Sequence, residues 1–229
     1  MAVILHIETS TNVCSAAVSD NGMVLEHFED YKGQNHAALL SGYIKKCLDY
    51  IKGHNQKLDA IAVSIGPGSY TGLRIGLSEA KGLAYALGIP LIGIDTLKIM
   101  ATSVMFNHDI DPDAMFVPMI DARRMEVYTS VLDLGLNEEM KPSPLILDES
   151  SYAQWLDNGP VIFFGNGSDK AREVIKHPNA RFIANIHPLA SDMLALAEMA
   201  FRRGEFLDLA YSVPAYLKDF QATTPKNKI

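Results

Sequence analysis

Three glycines and a proline fall within seven residues, Gly66-Pro67-Gly68-Ser69-Tyr70-Thr71-Gly72, between an apolar run and a segment of helical periodicity. The run Leu58–Ile65 reads as a strand. Beyond the glycines, Leu73, Leu77, Ala80, Ala84 and Leu87 recur at threes and fours, which puts one apolar face on a helix over Thr71–Leu87, stopped by Gly88 and Pro90. Pro90–Asp95 is then almost continuously apolar, as in a strand buried on both faces of a parallel or mixed sheet. A strand that turns through glycine into a helix and returns as a buried strand commits the chain to an α/β layer.

Upstream, Ala2–Glu8, Val13–Ser19 and Met23–Asp30 read as three strands, the last two joined by the hairpin turn Asp20-Asn21-Gly22. Ala37, Leu40, Ile44, Cys47, Leu48 and Ile51 then mark one face of a helix ending near Gly53. The order is β-β-β-α-β-α-β. After about residue 105 the pattern restarts more loosely. Met115–Ile120 and Glu126–Leu132 flank the turn Asp121-Ala122-Arg123-Arg124, and Val161–Phe164 is a later strand. A final helix carries Leu189, Met193, Leu196, Ala200 and Phe201 before Gly204, prolines 118, 142, 144, 160, 178 and 188 punctuate this half, and the tail after Pro225 is expected to fray. We expect residues 1–104 to form one half and 105–229 a smaller α/β half whose terminal segment packs back on the first.

At 229 residues the chain is long enough for one large domain or two small ones. Its charge, 20 − 27 = −7, gives no general attraction to phosphate backbones or anionic lipid. No apolar run approaches the ~20 residues that span a bilayer, and Met1–His6 lacks the charged region of a secretory signal, so a cytoplasmic protein is expected. Cys14 and Cys47 form neither a CxxC nor a disulfide framework and read as buried thiols.

The glycine segment looks like a phosphate cradle but lacks the spacing and lysine of a Walker loop, and Thr71 breaks GxGxxG. A tight structural turn and a nucleotide site both stay open, the latter drawing on Ser10, Thr11, Asn12, Gly66, Gly68 and Ser69. Ser64 falls one residue from a nucleophile elbow, yet Gly-Pro-Gly follows where a helix must begin, and no Asp and His stand in the required order. None of the seven histidines pairs at i, i+3 or i+4, so no metal site is expected, and His36 reads as a solvated or capping residue. Gly72, Gly76 and Gly82 each cost a helix ~1 kcal/mol relative to Ala, which argues for a closely packed helix neighbour, inside the chain or across a subunit contact.

Ile7-Glu8-Thr9-Ser10, Ile65–Gly76 (IGPGSYTGLRIG), Ala80-Lys81-Gly82-Leu83-Ala84, Asp121–Tyr128 (DARRMEVY), Gly165-Asn166-Gly167 and Pro214–Lys218 follow one another along the chain. In these segments the chain resembles the TsaB (YeaZ) branch of the TsaD/glycoprotease-like family. The resemblance implies an actin-like ATPase (ASKHA, RNase H-like) fold of two tandem related α/β halves. It also implies a place in forming N6-threonylcarbamoyladenosine in tRNA beside the anticodon. Thr96 and Met100 stand where TsaD carries the two histidines of its metal-binding HxxxH, and a hydroxyl and a thioether cannot replace two imidazoles. Glu8 replaces an Asp found in many relatives, which argues against nucleotide use by this half, and Lys218 replaces an Arg.

The resemblance therefore implies a non-catalytic accessory subunit, the alternative being a glycoprotease-like hydrolase or an independent nucleotide-binding enzyme. Its expected partners are TsaD, in a heterodimer formed through the helices His36–Ile51 and Thr71–Leu87, and the ATPase TsaE in a ternary complex. Contact with tRNA is expected only through that complex, with no membrane contact and a homodimer when alone. The expected partner face is His36, Leu40, Tyr43, Tyr70, Gly72, Leu73, Ile75, Gly76, Glu79 and Ala80. No cofactor or metal is expected on this chain, ATP being used by TsaE and TsaD.

Overall fold

The computed structural model describes residues 2–33 and 35–218; the expected fraying after Pro225 concerns residues outside these. The first half runs β1 (Val3–Glu8), β2 (Cys14–Asp20), β3 (Met23–Asp30), α1 (His36–Gly53), β4 (Ala60–Gly66), α2 (Tyr70–Leu87), β5 (Leu91–Asp95) and α3 (Thr96–Asn107). The second runs β6 (Met115–Asp121), β7 (Glu126–Leu132), β8 (Glu138–Ile146), α4 (Ala153–Leu156), β9 (Val161–Phe164), α5 (Ser168–Val174) and β10 (Ala180–Ile183). A 3₁₀ turn (Ala190–Met193) and α6 (Leu194–Arg203) complete it.

The two sheets have the same topology. Their orders are β3-β2-β1-β4-β5 and β8-β7-β6-β9-β10, with the first three strands of each antiparallel and the last two added in parallel. This is the RNase H-like arrangement repeated in tandem, an actin-like fold. The Asn21-Gly22 turn has φ of 52° and 81°, the left-handed pair that a tight hairpin demands.

β1 is buried throughout because both faces are covered. Val3, Leu5 and Ile7 point to α1 and α2, meeting Leu40, Ile44, Cys47, Leu77 and Ala80. On the other face, Ala2 and Ile4, with Ala60, Ala62 and Ile92, meet Met193, Ala197 and Ala200. The terminal helix α6 thus lies against the first sheet, while α3 turns Leu97, Met100, Ala101 and Val104 to Phe116, Ile120 and Phe164 of the second. Residues 104 and 105 both lie in α3.

Several elements escape the sequence pattern. α3 is covered on nearly all sides, so its apolar residues form no stripe, and α4, α5 and β10 are only four to seven residues long. β8 contains Pro142 and Pro144, which an edge strand tolerates because its outer N–H groups have no partner to lose. The last helix starts five residues later than its apolar spacing suggests, with Leu189 ahead of the 3₁₀ turn.

Candidate functional site

A cleft of about 1170 Å³ opens between the two sheets. Its walls are the turn after β1 (Ser10, Thr11, Asn12), the loop into α2, the β6–β7 turn and the chain at 215–218. Five of the six residues expected at a phosphate meet here, Ser10, Thr11, Asn12, Gly68 and Ser69; Gly66 lies beneath, against Leu73 and the Ala215 carbonyl.

The loop is closed on the protein itself. Ser69 N donates to the Ser10 carbonyl at 2.6 Å, and Thr9 Oγ1 donates to the Gly72 carbonyl at 2.7 Å. A Cβ on Gly68 would overlap the Ser10 carbonyl oxygen, and one on Gly72 would overlap that of Thr9. The glycines therefore let α2 lie on the end of β1. With the Ser69 donor spent on Ser10 and carbonyl oxygens filling the close approach, the glycines themselves serve contacts inside the protein. Ser69 Oγ caps the helix by accepting from Gly72 N at 3.2 Å.

Below the loop, Glu8 is fully buried and its Oε1 accepts from Ser10 N. Burial pushes its carboxyl up to about 7, against the opposing pull of hydrogen bonds from Ser10, Ser64 and Thr9. His6, also fully buried, is pushed down to about 3 by the same desolvation, and its Nε2 lies 2.7 Å from Ser19 Oγ. Ser64 is fully buried beside Glu8, with no exposed hydroxyl to act as a nucleophile. Thr96 and Met100, one turn apart on α3, are buried too, and among the described residues no three His, Cys, Asp or Glu side chains converge. This donor set does not fit a metal.

The expected partner face divides in two. Leu40, Leu73 and Ala80 are buried, Leu40 and Ala80 in the core under the first sheet and Leu73 against the loop. Gly72 and Gly76 face Thr9, where a Cβ on Gly76 would overlap the Thr9 hydroxyl, so both glycines are explained by packing inside the chain, and Gly72 also lines the cleft. A Cβ on Gly82 would meet no neighbour of the helix within 4 Å, so packing among the described residues does not explain it. His36 is buried with Nε2 3.2 Å from the Val13 carbonyl, and Tyr43 stacks on Phe28. Tyr70, Ile75 and Glu79 do share a surface hollow with Ala37, Thr71, Arg74 and Ser78, and Ser41 Oγ donates to Glu79 Oε1 at 2.7 Å, tying α1 to α2.

The sequence reading attached no function to two further features of the cleft. The chain at 214–218 crosses from one half to the other: Ala215 N donates to the Ile65 carbonyl, and Tyr216 packs on Tyr70 and accepts from Arg74 Nε at 2.8 Å. Lys218 then donates to both oxygens of Glu126 at 2.6 and 2.8 Å. Opposite stands the β6–β7 turn, gripped by Lys170, whose Nζ donates to Asp121 Oδ1 and to the Arg124 and Glu126 carbonyls. The motif Asp121–Tyr128 signalled the turn, but no spacing rule foretells a clamp reaching from residue 170.

A family model described as "TsaD: tRNA N6-adenosine threonylcarbamoyltransferase" matches residues 30–226. The tRNA threonylcarbamoyladenosine biosynthesis protein TsaB of Bacillus subtilis (strain 168) is 30% identical over 227 residues, 94% of this chain and 93% of its own length. This chain belongs to the TsaB (YeaZ) branch of the TsaD-like family. TsaB of Escherichia coli (strain K12) is also 30% identical, over 225 residues and 94% of each chain. YeaZ from Pseudomonas aeruginosa superposes with a TM-score of 0.79 at 29% identity, covering 95% of this chain and all of its own. A structure described as similar to peptidase YeaZ from Pseudomonas aeruginosa gives 0.82 at 27% identity, with the same coverage.

Proposed function

We propose that this chain is a non-catalytic accessory subunit that binds and supports TsaD in forming N6-threonylcarbamoyladenosine in tRNA beside the anticodon. One observation carries the reading. A TsaD-like sequence over residues 30–226 presents buried Thr96 and Met100 where the resemblance puts the metal-binding histidines. A fold that keeps the TsaD pattern but lacks ligands to activate water or bind a metal-held substrate is suited to assembly rather than chemistry. The burial of Ser64 weighs against a serine hydrolase.

The partner surface on this reading is the hollow between α1 and α2, around Tyr70, Arg74, Ile75, Ser78 and Glu79. TsaD docks there, TsaE joins as the ATPase of a ternary complex, and TsaE and TsaD use the ATP while this chain holds no cofactor. Without TsaD the same hollow pairs with a second copy of the chain. Among the described residues no helix is long and apolar enough to cross a membrane, and the assembly works in the cytoplasm.

The test is threonylcarbamoyladenosine synthesis with purified TsaD, TsaE, the carbamoyl-adenylate-forming enzyme, ATP and tRNA, with the chain present, omitted or carrying Ser78→Trp. Ser78 is exposed, so the variant keeps native circular dichroism. Product should require the chain, and Ser78→Trp should lose both the TsaD heterodimer on a sizing column and most of the product. Synthesis without the chain would refute the accessory role, and a heterodimer retained by Ser78→Trp would refute the surface.

A further inference from the structure

Arg123 and Arg124 sit at φ of 72° and 50°, the left-handed region. They belong to the four-residue connection 122–125 between β6 and β7, closed by Glu126 N donating to the Arg123 carbonyl at 3.1 Å. The left-handed region favours Gly and Asn, and a larger residue held there costs on the order of 1 kcal/mol. The neighbours enforce the conformation: besides the Lys170 clamp, Asp121 Oδ1 accepts from Arg123 N at 2.6 Å, and Asn166 Oδ1 accepts from Asp121 N at 2.9 Å. Of the charges that meet at this turn, Lys170 pairs with Asp121 and Lys218 with Glu126. The two arginines are left over. Both are exposed, and among the described residues neither guanidinium has an ion-pair or hydrogen-bond partner. Arg123 also lines the open cleft together with Lys32 of the opposite half, and the cleft's carboxylates, Asp121 and Glu126, are paired with Lys170 and Lys218.

We propose that Arg123 and Arg124 bind backbone phosphates of RNA at the mouth of the cleft. The inference rests on the reading of this chain as a subunit of a tRNA-modifying assembly, which supplies the RNA, and it makes the contact with tRNA direct. The guanidinium fork matches a phosphate in two-point geometry, and the Lys170 clamp fixes the backbone from which both side chains extend. Strain kept at two exposed residues, where Gly or Asn would lessen it, has its physical account in what those side chains bind.

The test replaces the pair by residues that adopt a left-handed φ at less cost, Arg123→Asn with Arg124→Gly, and measures fluorescein-labelled tRNA by anisotropy at salt concentrations from about 50 to 200 mM. The full chain is used in complex with TsaD. The variant should melt at the wild-type temperature or above and keep the complex. It should bind tRNA at least about ten-fold more weakly, with a salt slope shallower by roughly 1.5 for two lost phosphate contacts. Arg123→Lys with Arg124→Lys should recover most of the slope. Equal affinity and slope in the Asn-Gly variant would overturn the proposal, as would loss of the TsaD complex with RNA binding retained, which would make the turn a protein contact. If the wild-type chain forms no complex with TsaD, it is the accessory reading that fails, and the same comparison on the chain alone still decides the RNA contact.

Discussion

Of three glycines on one helix, two are obligatory and one is not. Gly76 faces the Thr9 hydroxyl, which is already committed to the Gly72 carbonyl, so an added methyl must push Thr9 aside and break that bond. Gly76→Ala should therefore lower stability by about 1–3 kcal/mol, as overpacked core sites do. Gly82 has open space around it, and Gly82→Ala should raise stability by about 0.5–1 kcal/mol through the lost backbone freedom of the unfolded chain. Urea unfolding of the two variants checks the contrast; shifts of the same sign would mean that the packing on Thr9 is not what fixes Gly76. Glu8 gives a second test at this scale. Its carboxyl titrates near 7 when folded against an ordinary 4.5, so between those values the native chain holds a proton that the unfolded chain has released. Stability from this group is present below pH 4.5 and is lost as pH rises through 7, by on the order of 3 kcal/mol. His6 acts in the opposite sense, since burial keeps it neutral down to about 3 and stability from it grows as pH rises from 3 to 6.5. The two oppose each other in the whole protein, so the informative quantity is the difference between wild type and Glu8→Gln. That difference should move toward the variant from pH 4.5 to 7.5, and a flat difference would show that Glu8 is ionised in the fold.

At the scale of elements, what was legible depended on how many faces an element exposes. α1 and α2 each show one side to water, so their apolar spacing marks them to within a residue or two, as the strands of the first sheet are marked by apolar runs between polar turns. α3 shows no such side; its residues Leu97, Ile99, Met100, Ala101 and Val104 are all buried, and only the Asp95 cap, accepting from Leu97 N and Lys98 N, announces its start. The site divides in the same way. The meeting of Ser10–Asn12 with Gly68 and Ser69 was readable from the glycines, because a strand turning into a helix fixes where the next loop lies. What those glycines approach was not, since Thr9 and the Ser10 carbonyl are ordinary residues in sequence and become decisive only through distance. The crossing at 214–218 belongs to this class too: Tyr216 and Lys218 have meaning only beside Arg74 and Glu126, which lie more than 90 residues away.

The molecule as a whole repeats one topology but does not separate into two independent bodies. Each half lends a helix to the other's sheet: α6 covers Ile4, Ala60, Ala62 and Ile92 of the first, and α3 covers Phe116, Ile120 and Phe164 of the second. Removing either half would bare an apolar sheet face, which at about 25 cal/mol per Å² is a large loss for structures of only marginal stability. Unfolding should therefore be a single cooperative event, although a chain of two α/β halves would ordinarily show two. Trp155, the one tryptophan, stands in α4 and reports on the second half, while amide exchange in β1 reports on the first. Across a urea series both should give the same midpoint, and the fragment 1–104 made alone should lack a cooperative transition. Should β1 amides open at a lower urea concentration than the Trp155 fluorescence changes, the exchanged helices would be dispensable to the second half, and the two sheets would be separate folding units sharing a cleft.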